Sequence, residues 1–283
     1  MLTDTSESVA HTNACSHRSQ MVGTFDALHA DGFQVVPEVV PRAQCNQWLS
    51  RVRTSAAARQ SHSDVMWSIR EHEAITDVFA RVWGCDTDKL CTGYDGAGYR
   101  KPNTRGLELG WHLDQGPHHE AGMVGVQAVL CLTNMNERTG GTAFLKGSHT
   151  HHSELCERAC TDSDYEEQGA WEFVDVDPDD PIVHTHETVQ PHASKGDILI
   201  WDSRTVHCVL PPLDPTTERA VVYLSMLPAA RLTPQDRVTR RIFYEDGVST
   251  THWPTPCVDR GEKRAVPSVR YCEVSAKRRA LIG

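Results

Sequence analysis

Within the stretch WHLDQG, His112 and Asp114 stand two residues apart. On a β-strand, side chains at i and i+2 leave the same face, so one imidazole and one carboxylate share a patch of space. Such a pair either holds a transition metal or forms an ion pair at a strand end. A metal needs a further ligand from another strand, and His207 in KGDILIWDSRTVHCVLPP offers one. There Gly196-Asp197 reads as a turn, DILIWD as a buried strand and Asp202-Ser203-Arg204 as a second turn. His207 then opens the next strand. Two imidazoles and one carboxylate on one face of an octahedral ion leave three positions open. Zinc hydrolases also use two His and one carboxylate, so the three residues alone leave the metal undecided.

Twelve positions after His207, Arg219 precedes the apolar run AVVYLSML. An arginine at the mouth of a buried strand is costly without an anionic partner. Its planar fork suits a carboxylate held by two hydrogen bonds. A metal open on one side, with an arginine across the cavity, suits a dicarboxylate that chelates the metal at one end and pairs with arginine at the other.

The elements that must carry these residues follow from periodicity. Residues 1–22 are polar and rich in Ser, Thr and His, an expected disordered tail. Order is expected from FDALHADGFQVVPEVVP, a short helix into Gly32 and a strand FQVV ending at Pro37. Residues 41–58 space Cys45, Trp48, Leu49 and Val52 as one helical face, and a second helix is expected over 74–83. From Leu90 the pattern turns to short β-like runs: 124–134, 141–147, 197–202, 206–210 and 220–227. Many short strands with Gly, Pro and Asn punctuation indicate a β-sandwich or barrel. Residues 153–187 are strongly acidic and read as an inserted loop with a helical piece. The stretch Arg260 to Arg279, carrying Lys263, Arg264, Lys277 and Arg278, reads as a solvated basic C-terminal tail. Residues 23–283 are thus expected to form a single domain.

A formal net charge of −10 over 283 residues argues against general affinity for nucleic acid or anionic membrane, since both need clustered Lys and Arg. The ten cysteines are scattered with no CxxC pair, the first twenty residues have no apolar signal-like core, and no run of 18 apolar residues occurs. Free thiols in a reducing compartment, and hence a cytoplasmic protein, are expected. Oligomeric state is not legible.

The motifs together resemble the iron(II)/2-oxoglutarate-dependent oxygenases, and within them the phytanoyl-CoA dioxygenase-like branch. HxD at 112–114, the distal His207 and Arg219 carry the resemblance, supported by ADGFQVVPEVV, TGGTAFLKGSH (139–149) and KGDILIWDSRTVH, in the family's order over residues 30–228. The chain departs from the family in three places. Thr139-Gly140-Gly141 replaces the usual Asn before Gly, Lys146 stands for the usual Pro before GSH, and Val209 stands where a Ser or Thr often follows the distal His by two.

The resemblance implies a mainly β fold with flanking helices around a double-stranded β-helix (jelly-roll, cupin-like) core. It implies Fe(II) on His112, Asp114 and His207, with 2-oxoglutarate and O2 as co-substrates, ascorbate in a supporting role, and Arg219 on the far carboxylate. The implied reaction hydroxylates an unactivated C–H bond of a small or medium organic substrate, releasing succinate and CO2. Related halogenases have a small residue at position 114, so Asp114 argues for hydroxylation or desaturation. Two other readings stay open at this stage: a non-catalytic binding or regulatory module on the same fold, and a zinc hydrolase.

Secondary candidates complete the set. Gln127 shares a strand face with Val129, Cys131 and Thr133, and either contacts co-substrate or substrate or faces solvent. Tyr99 and Lys101, in GYRKPNTRG, stand where the resemblance places groups near the co-substrate. Thr142 is a candidate for the same pocket, and Gln115 for orienting the Asp114 carboxylate. Trp111 and Trp201 read as core aromatics. Other histidines, including His118, His119, His149, His151, His152, His184, His186 and His192, read as non-ligands, and His252-Trp253 as a segment that closes over the pocket.

Overall fold

The computed structural model describes residues 24–54, 61–106, 108–119, 121–159, 173–262, 264 and 266–283. The expected N-terminal tail and the end of the 41–58 helix lie outside the described residues.

Two antiparallel sheets carry the fold. The larger has the order β1 (Phe33–Val36), β9 (Ile198–Asp202), β5 (Val126–Cys131), β11 (Arg219–Pro228) and β2 (Leu90–Thr92), with β3 (Ala97–Arg100) also pairing β11. The smaller runs β7 (Val174–Asp175), β4 (Leu109–Leu113), β10 (His207–Leu210), β6 (Gly141–Leu145) and β8 (Thr188–Val189). This is the double-stranded β-helix expected from the motifs.

Strand alternation divides the larger sheet into two faces. Val126, Ala128, Leu130, Ile198, Ile200, Ala220, Val222 and Leu224 point outward into a core shared with the helices α1 (Asp26–Asp31), α2 (Arg42–Thr54), α3 (Asp64–Arg70) and α4 (Glu73–Trp83). Cys45, Trp48, Leu49 and Val52 are the buried residues of α2, as their spacing predicts. The α3 helix starts where Ser63 accepts a bond from the Met66 amide, and α4 stops at Gly84 in the left-handed region. The intervening residues Val129, Cys131, Leu199, Trp201 and Val221 point inward, where Phe33 and Phe144 stack across the two sheets at 4.5 Å. That inner face holds the site.

Two segments differ from expectation. The second half of the acidic stretch is not loop alone: β7 pairs with β4, setting Asp175 opposite His112 and Val174 opposite Leu113. The C-terminal stretch is mostly exposed over the described residues of 260–273, as expected of a solvated segment, but its end is not a free tail. It ends in the helix Ala276–Ile282, whose Leu281 and Ile282 are fully buried, while its Arg278 pairs with Glu71 at 2.7 Å. Buried Arg240 clamps this helix in place, donating to the carbonyls of Ile282 (2.6 Å), Leu281 (3.1 Å) and Thr92 (2.6 Å), and to that of Pro254. Two apolar residues among the basic ones decide the packing, and the long cationic side chains stay at the rim. The eight cysteines among the described residues are free thiols. Among the described residues no helix is long and apolar enough to cross a membrane.

Candidate metal centre

The smaller sheet brings the three predicted ligands together. His207 opens β10 in register with His112 at the end of β4, and the two rings lie 4.1 Å apart. Asp114 follows β4 directly, its amide donating to the Ser203 carbonyl in the turn before His207. Nε2 of His207 stands 3.2 Å from Asp114 Oδ2, and Nε2 of His112 stands 3.9 Å from Oδ1. Ligand atoms about 2.1 Å from one metal and at right angles stand about 3 Å apart, so this spacing suits one face of an octahedron. Among the described residues this is the one group of three His, Cys, Asp or Glu side chains placed to hold a metal ion.

Each imidazole is set by the backbone. Nδ1 of His112 lies 2.8 Å from the Gly110 carbonyl, and Nδ1 of His207 lies 2.9 Å from the Thr205 carbonyl. A carbonyl only accepts, so Nδ1 carries the proton and Nε2 keeps its lone pair toward Asp114. The turn behind His207 is fixed in its turn by Gly32. Thr205 Oγ1 and the Asp202 amide both donate to the Gly32 carbonyl, at 2.9 Å each. Gly32 has φ +88°, and a Cβ there would meet Thr205 Oγ1 at 2.6 Å, which explains the glycine of the DGF motif.

Electrostatics favour ligation. Burial, and then the charge of His207, push the His112 imidazole down to about 4, so it is neutral near pH 7. Burial opposes ionisation of Asp114, but the His252, His207 and His112 imidazoles outweigh it and hold the carboxyl well below the ordinary carboxylate range. Gln127 faces inward on β5 and donates to Asp114 Oδ2 at 2.8 Å. It touches the carboxylate directly, the role the sequence assigned to Gln115. The Gln115 side chain instead donates to the Gly122 carbonyl at 2.9 Å and accepts from Ser203 Oγ at 2.8 Å, tying the loop to the turn.

The remaining candidates fall on different sides of the sheets. Arg219 faces inward at the start of β11 and lines a cavity of about 280 Å³ with Tyr223, Val209 and Leu210. Its Nε is buried without a hydrogen-bond partner, and its side chain has no ion-pair partner among the described residues. Thr142 is buried beside Val209, one pair along the inner face from His207 and Phe144. Tyr99 also borders the cavity, but β3 sets it opposite Ala220, and its ring packs on the helix-side core. Lys101 is exposed beyond the strand. A slip of one residue exchanges the faces of a strand, and the residues of β3 opposite the inward side of β11 are Gly98 and Arg100.

Phe173, stacked on His112 at 4.6 Å, was also missed, since a lone aromatic beside an acidic run carries no periodic signal. The segment His252-Trp253 does reach the site: Trp253 Nε1 donates to the Asp114 carbonyl at 3.1 Å, and His119 stacks on its ring at 4.2 Å. His152 is no ligand but lies 2.6 Å from the Gln115 carbonyl, buttressing the same loop.

Residues 58–208 match the phytanoyl-CoA dioxygenase family, and the chain belongs to that family. Ava biosynthesis cluster protein O of Aspergillus versicolor is 25% identical over 222 residues, 76% of this chain and 68% of its own length. Among solved structures, a putative oxidoreductase of Salmonella typhimurium LT2 superposes with a TM-score of 0.62 at 15% identity, over 90% of this chain and 81% of that one. The epimerase SnoN from nogalamycin biosynthesis, crystallised with Fe3+, α-ketoglutarate and nogalamycin RO, superposes at 0.54 and 15% identity, over 86% and 93%. At that identity the likeness is one of fold.

Proposed function

We propose that the protein is an iron(II)- and 2-oxoglutarate-dependent dioxygenase acting on a small or medium organic molecule, with hydroxylation of an unactivated C–H bond as its reaction. The observation that carries this reading is the buried His112, Asp114 and His207 face, on the same inner surface as an unpaired arginine. A zinc hydrolase gives no role to that arginine. A purely binding role leaves unexplained a carboxylate and two imidazoles buried together in ligand geometry, since buried charges are retained at a cost unless they are used.

The residues present fit the implied groups. Two Nε2 lone pairs and one carboxylate are a donor set for Fe(II), and the unpaired Nε of Arg219 awaits an anion. Bound iron would supply the redox chemistry that couples oxidative decarboxylation of 2-oxoglutarate, giving succinate and CO2, to oxidation of the substrate. The protein's part is positional. His112, Asp114 and His207 would hold the ion through two imidazole nitrogens and one carboxylate oxygen. Gln127 and the Trp253 indole fix the Asp114 carboxylate and its backbone, and Arg219 orients the co-substrate by its far end. Phe144 and Trp201, packed around His207, keep that side of the centre dry.

Incubation with iron(II), ascorbate, 2-oxoglutarate and O2 tests the reading. Succinate is expected, increased by the true substrate, together with metal-dependent binding of 2-oxoglutarate. Failure to form succinate with any member of a substrate library, together with absence of metal-dependent 2-oxoglutarate binding, overturns it.

A further inference from the structure

We propose that Arg100 is a second anchor for the far carboxylate of the co-substrate, gripping it together with Arg219; this rests on the co-substrate reading above. In the register of β3 on β11, Arg100 lies directly opposite Arg219. Both line the cavity of about 280 Å³, whose wall contains no acidic side chain among the described residues. Like charges directly opposite on neighbouring strands repel. Nothing within the cavity offsets that repulsion, and Nε of both guanidinium groups is buried without a partner. Burial, and then the charge of Arg219, lower the Arg100 pKa, and the charge of Asp214 opposes them in part.

The partners Arg100 does have are neutral. It donates to Thr217 Oγ1 at 3.0 Å and, at 3.4 Å, to the carbonyls of Thr139 and Pro215. The acid whose charge acts on it, Asp214, is held by Arg138 at 2.8 Å and by Thr216 at 2.6 Å. A carboxylate offers about four lone-pair sites, and one arginine fork fills two of them. On the β10 side the cavity wall is Val209, two residues from His207, which offers no hydroxyl. A second guanidinium from β3 supplies charged donors directly beside Arg219, where the neutral donors of the wall are the hydroxyls of Tyr99, Tyr223, Thr104 and Thr139 and the further cation is Arg105. Tyr223 leaves room for this by standing over a glycine: its hydroxyl would lie 2.8 Å from a Cβ at Gly98.

The competing account makes Arg100 a clamp on the 214–217 loop and nothing more. The two separate in a binding experiment on the full-length protein loaded with Mn(II) under nitrogen, where no turnover intervenes. The dissociation constants of 2-oxoglutarate and of 2-oxopentanoate, which has a methyl group in place of the far carboxylate, are measured for wild type, Arg100→Met and Arg219→Met. Arg100→Met is expected to weaken 2-oxoglutarate about ten- to a hundredfold, as Arg219→Met does, and to leave 2-oxopentanoate and Mn(II) unaffected. Arg100→Gln, which can still donate to the loop carbonyls, is expected to show the same loss if the Met variant folds poorly. Unchanged 2-oxoglutarate affinity in the Arg100 variants, with loss in Arg219→Met, overturns the second anchor and leaves the co-substrate reading intact. Unchanged affinity in the variants of both arginines overturns the co-substrate reading of the cavity itself.

Discussion

At the scale of single residues, the centre is a set of ligands each held from behind. A hydrogen-bond partner of this kind fixes ring orientation and charge, and its loss typically costs ten- to a hundredfold in metal affinity. Gln127 is the clearest case, because it donates to the Asp114 oxygen nearest His207. Gln127→Leu is expected to weaken Fe(II) or Mn(II) binding by about ten- to a hundredfold with the fold intact. His112→Ala and Asp114→Ala are expected to abolish stoichiometric binding. Metal titration followed by equilibrium dialysis reads all three. Wild-type affinity in Gln127→Leu would reduce that glutamine to a core polar group, and a full equivalent of metal in either ligand variant would displace the site altogether.

At the scale of elements, legibility tracked the length of the signal. The runs that became β5, β9 and β11 are apolar and bounded by turn residues, so the central strands of the larger sheet could be placed from sequence. The three ligands were legible because HxD and the turn before His207 impose short-range geometry. Register was not legible. Tyr99 and Lys101 were one position from the inward residues of β3, and nothing within a four-residue strand reveals which face is inside. The two-residue β7 is shorter than any periodicity can register. In the helix Ala276–Ile282, three basic residues masked two buried apolar ones. That last reversal is measurable. Leu281→Ala is expected to cost about 2–5 kcal/mol in urea unfolding, because it opens a cavity against a packed core, and to leave metal affinity unchanged. A cost under about 0.5 kcal/mol, the range of surface substitutions, would return the segment to the solvent.

At the scale of the whole molecule, stability is tied to pH through an imidazole far from the ligands. His62 is 1% exposed, enclosed by Trp67, Tyr94 and Tyr244, with one nitrogen 2.8 Å from the Val248 carbonyl. Burial, and then the charge of Arg70, push it down to about 3 from 6.5. Because the folded value is the lower one, the unfolded chain takes up a proton below pH 6.5 that the native protein refuses. The stability that a neutral His62 preserves is therefore complete above pH 6.5 and is lost as pH falls toward 3. Each unit of that window is worth about 1.4 kcal/mol, or about 2 kcal/mol at pH 5. His112, also depressed, acts with the same sign, so the contribution of His62 must be isolated by difference. His62→Gln keeps a donor for the Val248 carbonyl but cannot titrate. Urea unfolding of wild type and variant at pH 7.5 and pH 5.0 is expected to show the variant gaining about 2 kcal/mol relative to wild type at the lower pH. A gap between the two proteins that is the same at both pH values would mean that His62 titrates alike in the folded and unfolded chain. The seam between α3 and the larger sheet would then have to admit water.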